Sequence, residues 1–177
     1  MPEVRYIIRD REVVADDWQL LPATPDGAAA ALPDGKLIVP LNVWLAQTDA
    51  FTGRHQPFGV WLDSNQDPAD LADGADAVGA FAVIAVNFPK FVDGRGYSIA
   101  ALLRTRYGFK GELRAIGDVQ RDQLFYLQRV GFNAFAVRAY KDIHDALGAL
   151  KDFSVTYQGS VDQPVPLFKR RRIAETV

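Results

Sequence analysis

From residue 36 onward, short apolar runs alternate with stretches in which apolar residues recur at helical spacing. Apolar runs bounded by turn residues predict strands, and apolar positions at i, i+3, i+4 and i+7 predict amphipathic helices. One run, AFAVIAVNF, is hydrophobic on both faces, which is typical of a central strand in a parallel sheet covered on two sides. The predicted strands are KLIV (36–39), FGVWL (58–62), AFAVIAVNF (80–88), GELRAIG (111–117), NAFAV (133–137) and FSVTY (153–157).

Helices are predicted between these strands, because each gap contains helical periodicity and terminal signals. Residue types typical of helix N-termini occur at Asp67 with Pro68, at Ser98 and at Asp118. Glycines, which commonly end helices, occur at Gly108 and Gly131. The predicted helices cover residues 41–50, 68–78, 99–107, 119–130 and 143–150.

Five strand–helix units and a final strand predict an α/β domain with a mainly parallel sheet, because parallel neighbours need crossover connections. The length excludes a complete eight-unit barrel and leaves a doubly wound open sheet or an incomplete TIM-like barrel. The incomplete barrel is favoured, since the polar groups Asn87, Asp118 and Arg138 end three consecutive strands and would converge on one rim. The predicted organisation is a single domain, 1–177, with a small β-rich arm (1–21), a flexible linker (22–35), an α/β core (36–158) and a tail (159–177).

Composition narrows the classes of function. Hydrophobic residues make up 49% and charged residues 24% of the 177 residues, which suits one globular core. The N-terminus interrupts its apolar pieces with charge and no run of about 18 apolar residues occurs, so neither membrane span nor secretory signal is predicted and a cytoplasmic location is expected. The net charge of −2 argues against nucleic acid as a partner. With no cysteine, and with His55 and His144 far apart, no metal site is predicted.

The stretch NFPKFVDGRGYS (87–98) suits an anion, because it leads from a strand into the positive end of a helix dipole. The glycines would let the backbone approach a ligand or adopt positive φ, the arginine would supply a fork of donors, and the serine a hydroxyl beside the helix cap. Ordinary turn chemistry is the alternative, with Asp93 closing an Asx-turn and a solvated arginine. The predicted anion-binding residues here are Gly94, Arg95, Gly96 and Ser98.

A second group of candidates lies in GDVQRD (117–122) and at the end of NAFAV. Arg121 is near a helix start, where the dipole disfavours a cation, so a bound anion or an ion pair with Asp93, Asp118 or Asp122 is expected. Arg138 adds a cation at the same rim or is simply solvated. Asp93 and Asp118 are the candidate catalytic acid–base pair, provided that they approach each other, and a helix cap is the simpler role for Asp118.

No cofactor is predicted. The G-x-G at 94–96 lacks the third glycine of a dinucleotide-binding motif, with Ile99 in its place, and no P-loop motif occurs.

The residues FPKFVDGRGYSIAALLRTRYGFKGELRAIGDVQRDQLFYLQRVGFNAFAVR (88–138), followed by FSVTYQ (153–158), resemble a bacterial family known as domain of unknown function 934. Its pattern is F-P-x-F-x-D-G-R-G-x-S, G-E-L-R-A-x-G-D-V-x-x-D-Q and G-F-x-A-F, and all three motifs are intact here. The resemblance implies a role in sulfur assimilation, because members are usually encoded beside assimilatory sulfite reductase genes and are often labelled "probable oxidoreductases".

Two classes of function follow. The first is an accessory protein of sulfate or sulfite reduction that binds a small oxyanion (sulfite, sulfate or a phosphate group) and sulfite reductase. The second is an enzyme that acts on a sulfur oxyanion or a phosphorylated metabolite. A homo-oligomer is also predicted, because a parallel sheet too short to close leaves an edge or an apolar face to cover.

Overall fold

The computed structural model describes residues 4–24, 32–71, 78–138 and 142–174, and within them it contains eight strands and six α-helices. The strands are β1 (Tyr6–Arg9), β2 (Glu12–Ala15), β3 (Trp18–Leu20), β4 (Lys36–Pro40), β5 (Phe58–Leu62), β6 (Val83–Phe88), β7 (Glu112–Gly117) and β8 (Ala134–Phe135). The helices are α1 (Leu41–Ala46), α2 (Thr48–Thr52), α3 (Arg95–Thr105), α4 (Leu124–Arg129), α5 (Ile143–Ala149) and α6 (Leu167–Ala174).

All eight strands belong to one mixed sheet with the order β2-β1-β8-β7-β6-β5-β4-β3. Strands β3 to β8 pair in parallel, as helical crossovers require, whereas the β1–β2 hairpin pairs antiparallel against β8. The α/β class is therefore confirmed. The N-terminal strands lie in this same sheet, at its two edges.

The sheet is curled into a half-barrel because its two edge strands are close neighbours in sequence. Strand β2 ends at Ala15 and β3 begins at Trp18, so Asp16 and Asp17 alone connect the opposite edges, and such a linker spans only about 11 Å at full extension. Across this junction Arg5 donates from Nη2 to the Trp18 carbonyl at 2.8 Å, and the Asp16 N–H donates to the Arg5 carbonyl at 2.8 Å.

The two faces of the sheet have different surroundings. Ile84, Val86 and Phe88 of β6 point to the convex face and join the main core with helix residues such as Leu103 and Leu127. The alternate residues of the central strands point to the concave face, where a smaller cluster packs, as the pleat of a strand requires. The concave cluster contains Trp18, Ile38, Val83, Ala85 and Ile116.

The predicted last strand at 153–157 is wrong. These residues have no regular structure, and Phe153, Val155 and Tyr157 are all exposed, although their alternation imitates a strand. The physical reason is that β1 already pairs with β8, through Ile8 opposite Phe135, so the edge of β8 is not available to a following strand.

Several predicted helices differ in their bounds. The helix predicted at 41–50 is divided into α1 and α2 at Gln47, whose backbone leaves helical geometry (φ −135°, ψ 33°). The helix predicted after Asp67 is a 3-10 turn at Pro68–Leu71, and its remainder lies partly outside the described residues, as does part of the predicted linker at 22–35. The predicted tail contains α6.

Candidate functional site

The candidate site is the rim formed by the carboxyl ends of the parallel strands. Asp63 and Ser64 follow β5, Asn87 lies near the end of β6, and Asp118 follows β7. Since parallel strands end on the same side of a sheet, these polar groups meet there. Asn87 Nδ2 donates to Asp63 Oδ1 at 3.1 Å, which joins the ends of β5 and β6.

Asp93 and Arg95 form a bidentate ion pair in the loop between β6 and α3. Arg95 donates from Nη2 to Asp93 Oδ2 at 2.7 Å and from Nε to Oδ1 at 3.0 Å. Ser64, which is buried, donates its hydroxyl to Asp93 Oδ2 at 2.7 Å and accepts from Arg95 Nη2 at 2.9 Å. Three residues from two loops thus form a closed hydrogen-bonded unit.

The charges of this pair stabilise each other. The Arg95 guanidinium and then the Ser64 hydroxyl hold the pKa of Asp93 well below its usual range, and Asp93 raises the pKa of Arg95. Because the carboxyl group stays ionised at neutral pH, it is poorly suited to donate a proton, and its engaged oxygens are poorly placed to accept one.

Asp93 also accepts the Arg95 N–H through Oδ1 at 3.2 Å, so a carboxylate of the protein lies at the start of α3. This is the position where the sequence predicted an external anion. The helix begins at Arg95 with Gly94 as its N-cap residue, and the prediction of Ser98 as the cap is therefore wrong, since Ser98 is exposed within the helix.

The two glycines of the loop have different surroundings. Positive φ, one of the two roles considered for these glycines, is found at neither, because Gly94 has φ −87° and Gly96 lies inside α3. A Cβ at Gly96 would lie 2.6 Å from the Phe88 ring, whereas one at Gly94 would meet nothing within 4 Å. Gly96 is therefore needed for the close packing of α3 on β6.

Asp118 is the second rim carboxylate with several hydrogen-bond partners, but it does not cap a helix as predicted. Its Oδ2 accepts the Phe91 N–H at 2.9 Å, and its Oδ1 pairs with Arg138. The cap of the following 3-10 turn is Gln120, which forms a capping box with Gln123 and so replaces the aspartate.

The structure therefore brings Asp93, Arg95, Asp118 and Arg138 to one rim, because Asp118 binds the loop that carries Asp93. Each carboxylate has its own arginine. Arg121 does not join them: it pairs with Asp145 and Asp152, each at 3.2 Å, and Asp152 is the main cause of its raised pKa. The prediction that Arg121 would pair with Asp93, Asp118 or Asp122 is therefore wrong.

Sequence reasoning missed Ser64 and Gln123, which complete the rim. Ser64 comes two residues after the predicted strand FGVWL, and polar residues near strand ends were the signal that identified Asn87, so the pattern could have found it. Gln123 is buried and donates from Nε2 to the Phe91 carbonyl at 3.3 Å, a long-range contact that no local pattern indicates. Tyr97 lies nearby, and burial raises the pKa of its hydroxyl.

Within the described part of the chain, no group of three or more His, Asp or Glu side chains could hold a metal ion. None of the helices described is long and apolar enough to cross a membrane.

Comparisons with known proteins give one match. Searches of curated proteins and of solved structures each return no significant similarity. A family model described as "Bacterial protein of unknown function (DUF934)" matches residues 59–168, which is more than half of the chain and includes every rim residue discussed above. The chain therefore belongs to this bacterial family, the one that its sequence motifs resemble.

Proposed function

We propose that this protein is a non-catalytic accessory component of assimilatory sulfate or sulfite reduction, which binds sulfite reductase through its rim and holds a small oxyanion beside Arg95. The observation that carries the proposal is the pairing of both candidate acid–base groups, Asp93 with Arg95 and Asp118 with Arg138. The sulfur context is supported by the family resemblance.

The pairing argues against the alternative, an enzyme that acts on a sulfur oxyanion by acid–base chemistry. A general acid or base works best when its pKa is near the working pH, and the low pKa of Asp93 is far from that range. Asp118 is occupied by a backbone N–H and by an arginine, as expected for a group that orders a loop.

The loop at 89–94, hereafter the rim loop, has the surface expected of a contact region. Its tip carries Phe91 and Val92, whose exposed fractions are 42% and 83%. Tyr126 is also exposed and packs against Tyr97 with a ring separation of 5.3 Å. Exposed aromatic and aliphatic side chains beside ion pairs are typical of protein–protein interfaces.

Oxyanion binding would use the N–H donors of Arg95 that are not hydrogen-bonded to Asp93 or Ser64. The hydrogen bonds to these two residues involve Nε and Nη2 but not Nη1, and the side chain as a whole is 60% exposed. Since Asp93 neutralises the arginine, such a site would bind an anion weakly unless the partner protein completed it.

We also propose that the half-barrel is an incomplete TIM-like barrel. The parallel order of β3 to β8, and polar groups at the carboxyl ends of β5 to β8, support this assignment.

The proposal is tested by growth of a deletion strain on sulfate, sulfite or sulfide as the only sulfur source. A defect on sulfate and sulfite that sulfide relieves is expected. Val92→Glu should fail to restore growth, whereas Ala82→Glu, which adds the same charge at the exposed opposite end of the sheet, should restore it. Full growth with Val92→Glu, or a defect that sulfide does not relieve, would contradict the proposal.

A further inference from the structure

We infer that the concave interior of the half-barrel is a binding site for a small organic anion, with one oxyanion group on an apolar body and with Arg114 as its inner anchor. This site is separate from the rim loop, and the inference does not depend on the proposed function.

The first observation is a cavity of about 580 Å³ on the concave side of the sheet. Its volume is within the range of small-molecule sites, roughly 300–1,000 Å³. It extends to Gly117 and Arg138 at the carboxyl end of the strands, and much of its wall is aliphatic, as Ile7, Ile38 and Ile116 illustrate. Such walls suit the hydrocarbon part of a ligand.

The second observation is the guanidinium of Arg114, which lines this cavity from the middle of β7 with a side chain only 3% exposed. Its Nε donates to Glu112 Oε1 at 2.7 Å and its Nη1 donates to Asp16 Oδ1 at 3.0 Å. Its Nη2 is buried and has no hydrogen-bond partner among the described residues. A buried cationic donor without a partner is costly, so an acceptor on a ligand would be strongly preferred there.

The third observation is the balance of charge around the cavity. Arg5 lines the cavity and donates to a backbone carbonyl, and Arg9 pairs with Glu112, which also pairs with Arg114. Among the described residues, the arginines that line the cavity and the charged groups paired with them amount to four arginines and three carboxylates, which leaves one positive charge. The group consists of Arg5, Arg9, Arg114, Arg138, Asp16, Glu112 and Asp118.

Together these observations define the ligand by its chemistry. One negative charge balances the excess, a carboxylate or sulfonate oxygen suits the remaining Nη2 donor of Arg114, and the aliphatic walls require an apolar remainder. An inorganic oxyanion would leave those walls empty, so the interior differs in specificity from the exposed Arg95.

The test uses two fluorescent probes with the same ring system: anilinonaphthalene sulfonate, an apolar monoanion, and the uncharged N-phenylnaphthylamine. Saturable binding of the sulfonate at one site, at least tenfold tighter than that of the neutral probe, is expected. Ala136→Phe should weaken binding of both probes more than tenfold, because it fills the cavity and leaves the contacts of Arg114 intact. Arg114→Lys should weaken only the sulfonate, and Arg106→Met, which removes an exposed arginine elsewhere, should change neither.

Equal affinity for the two probes would overturn the anion site, and sulfonate binding that survives Ala136→Phe would overturn the location. Since Ala136→Phe retains the buried ion pairs, the test remains decisive even if Arg114→Lys fails to fold. Growth of the deletion strain is not part of this readout, so the two proposals fail independently.

Discussion

The charged residues of the rim mainly form ion pairs and hydrogen bonds with one another. Asp93 is the clearest case, because its carboxylate receives two donors from Arg95, one from Ser64 and the N–H at the start of α3. The sequence indicated Asp93 as a candidate acid–base residue and Arg95 as a candidate anion-binding residue, but it did not predict their ion pair. Their shared partner, Ser64, is 29 positions from Asp93.

The depressed pKa of Asp93 predicts a dependence of stability on pH. Because the folded-state pKa lies below the unfolded value, the stabilisation is complete above the unfolded pKa of about 3.9 and is lost as the pH falls through the folded pKa. Thermal melts of wild type and Asp93→Asn should therefore differ by a constant amount between about pH 5 and 8, and the difference should begin to shrink below about pH 4. A difference in melting temperature that grows on acidification would contradict the predicted loss of stabilisation at low pH.

Gly96 and Gly148 provide a matched pair of helical glycines. Gly96→Ala should destabilise the fold by roughly 1–3 kcal/mol, because the new Cβ meets the buried Phe88 ring at 2.6 Å. Gly148→Ala in α5, where a Cβ meets nothing within 4 Å, should stabilise it by about 0.5–1 kcal/mol. Chemical denaturation measures both, and stabilisation by Gly96→Ala would refute the packing role.

The variant Arg95→Ala distinguishes a structural role of Arg95 from a functional one. Arg95 is 60% exposed, so only a small fall in melting temperature is expected, and Asp93 keeps its bonds to Ser64 and to the helix N–H. Under the proposed function, the variant should nevertheless fail to restore growth of the deletion strain. Normal growth would refute a functional role for Arg95, and a large fall in melting temperature would assign it a structural one.

At the scale of elements, the turn between β1 and β2 contains local strain. Asp10 and Arg11 both have left-handed backbones, with φ 50° and 67°, the conformation that two-residue hairpin turns require. Asp10 is held by Asn133 and suits this region, but a left-handed residue such as Arg11 costs roughly 1–2 kcal/mol. Arg11→Gly should therefore raise the free energy of unfolding by up to about 1 kcal/mol, because relief of the strain outweighs the greater backbone entropy that glycine loses on folding. A destabilised variant in denaturant titrations would contradict this reasoning.

Element prediction succeeded where local signals and tertiary pairing agree. FGVWL matches β5 residue for residue, and β4, β6, β7 and α5 fall within two or three residues of their predicted bounds. FSVTY failed because strand formation needs a free neighbouring edge, and a hairpin more than 100 positions away in sequence had occupied it, as the pairing of Ile8 with Phe135 shows.

At the scale of the whole molecule, the sequence favoured an incomplete barrel, but no local pattern showed which strands form the edges of the curled sheet. The buried pair of Arg114 and Asp16 joins residues 98 positions apart, and it forms only because β2 and β3 lie at opposite edges of one curled sheet. The sequence predicted a polar rim from strand ends, which depends on the direction of the strands alone. The concave cavity depends on closure, which no single stretch encodes.

Self-association remains a prediction at this scale. The exposed apolar side chains of the C-terminal segment, Val155 and Tyr157 among them with exposed fractions of 59% and 62%, offer a surface for a second copy. Light scattering at high micromolar concentration should give at least the mass of a dimer, and Val155→Glu should lower it. A monomeric wild type would contradict the prediction.

The proposed binding of sulfite reductase by the rim loop is tested by the affinity of the purified protein for immobilised sulfite reductase holoenzyme. Saturable binding is predicted for wild type and for Ala82→Glu, with at least a tenfold loss, about 1.4 kcal/mol, for Val92→Glu. Circular dichroism spectra and melting temperatures of the two variants should match wild type. Absence of binding by wild type, or equal binding by Val92→Glu, would contradict the account.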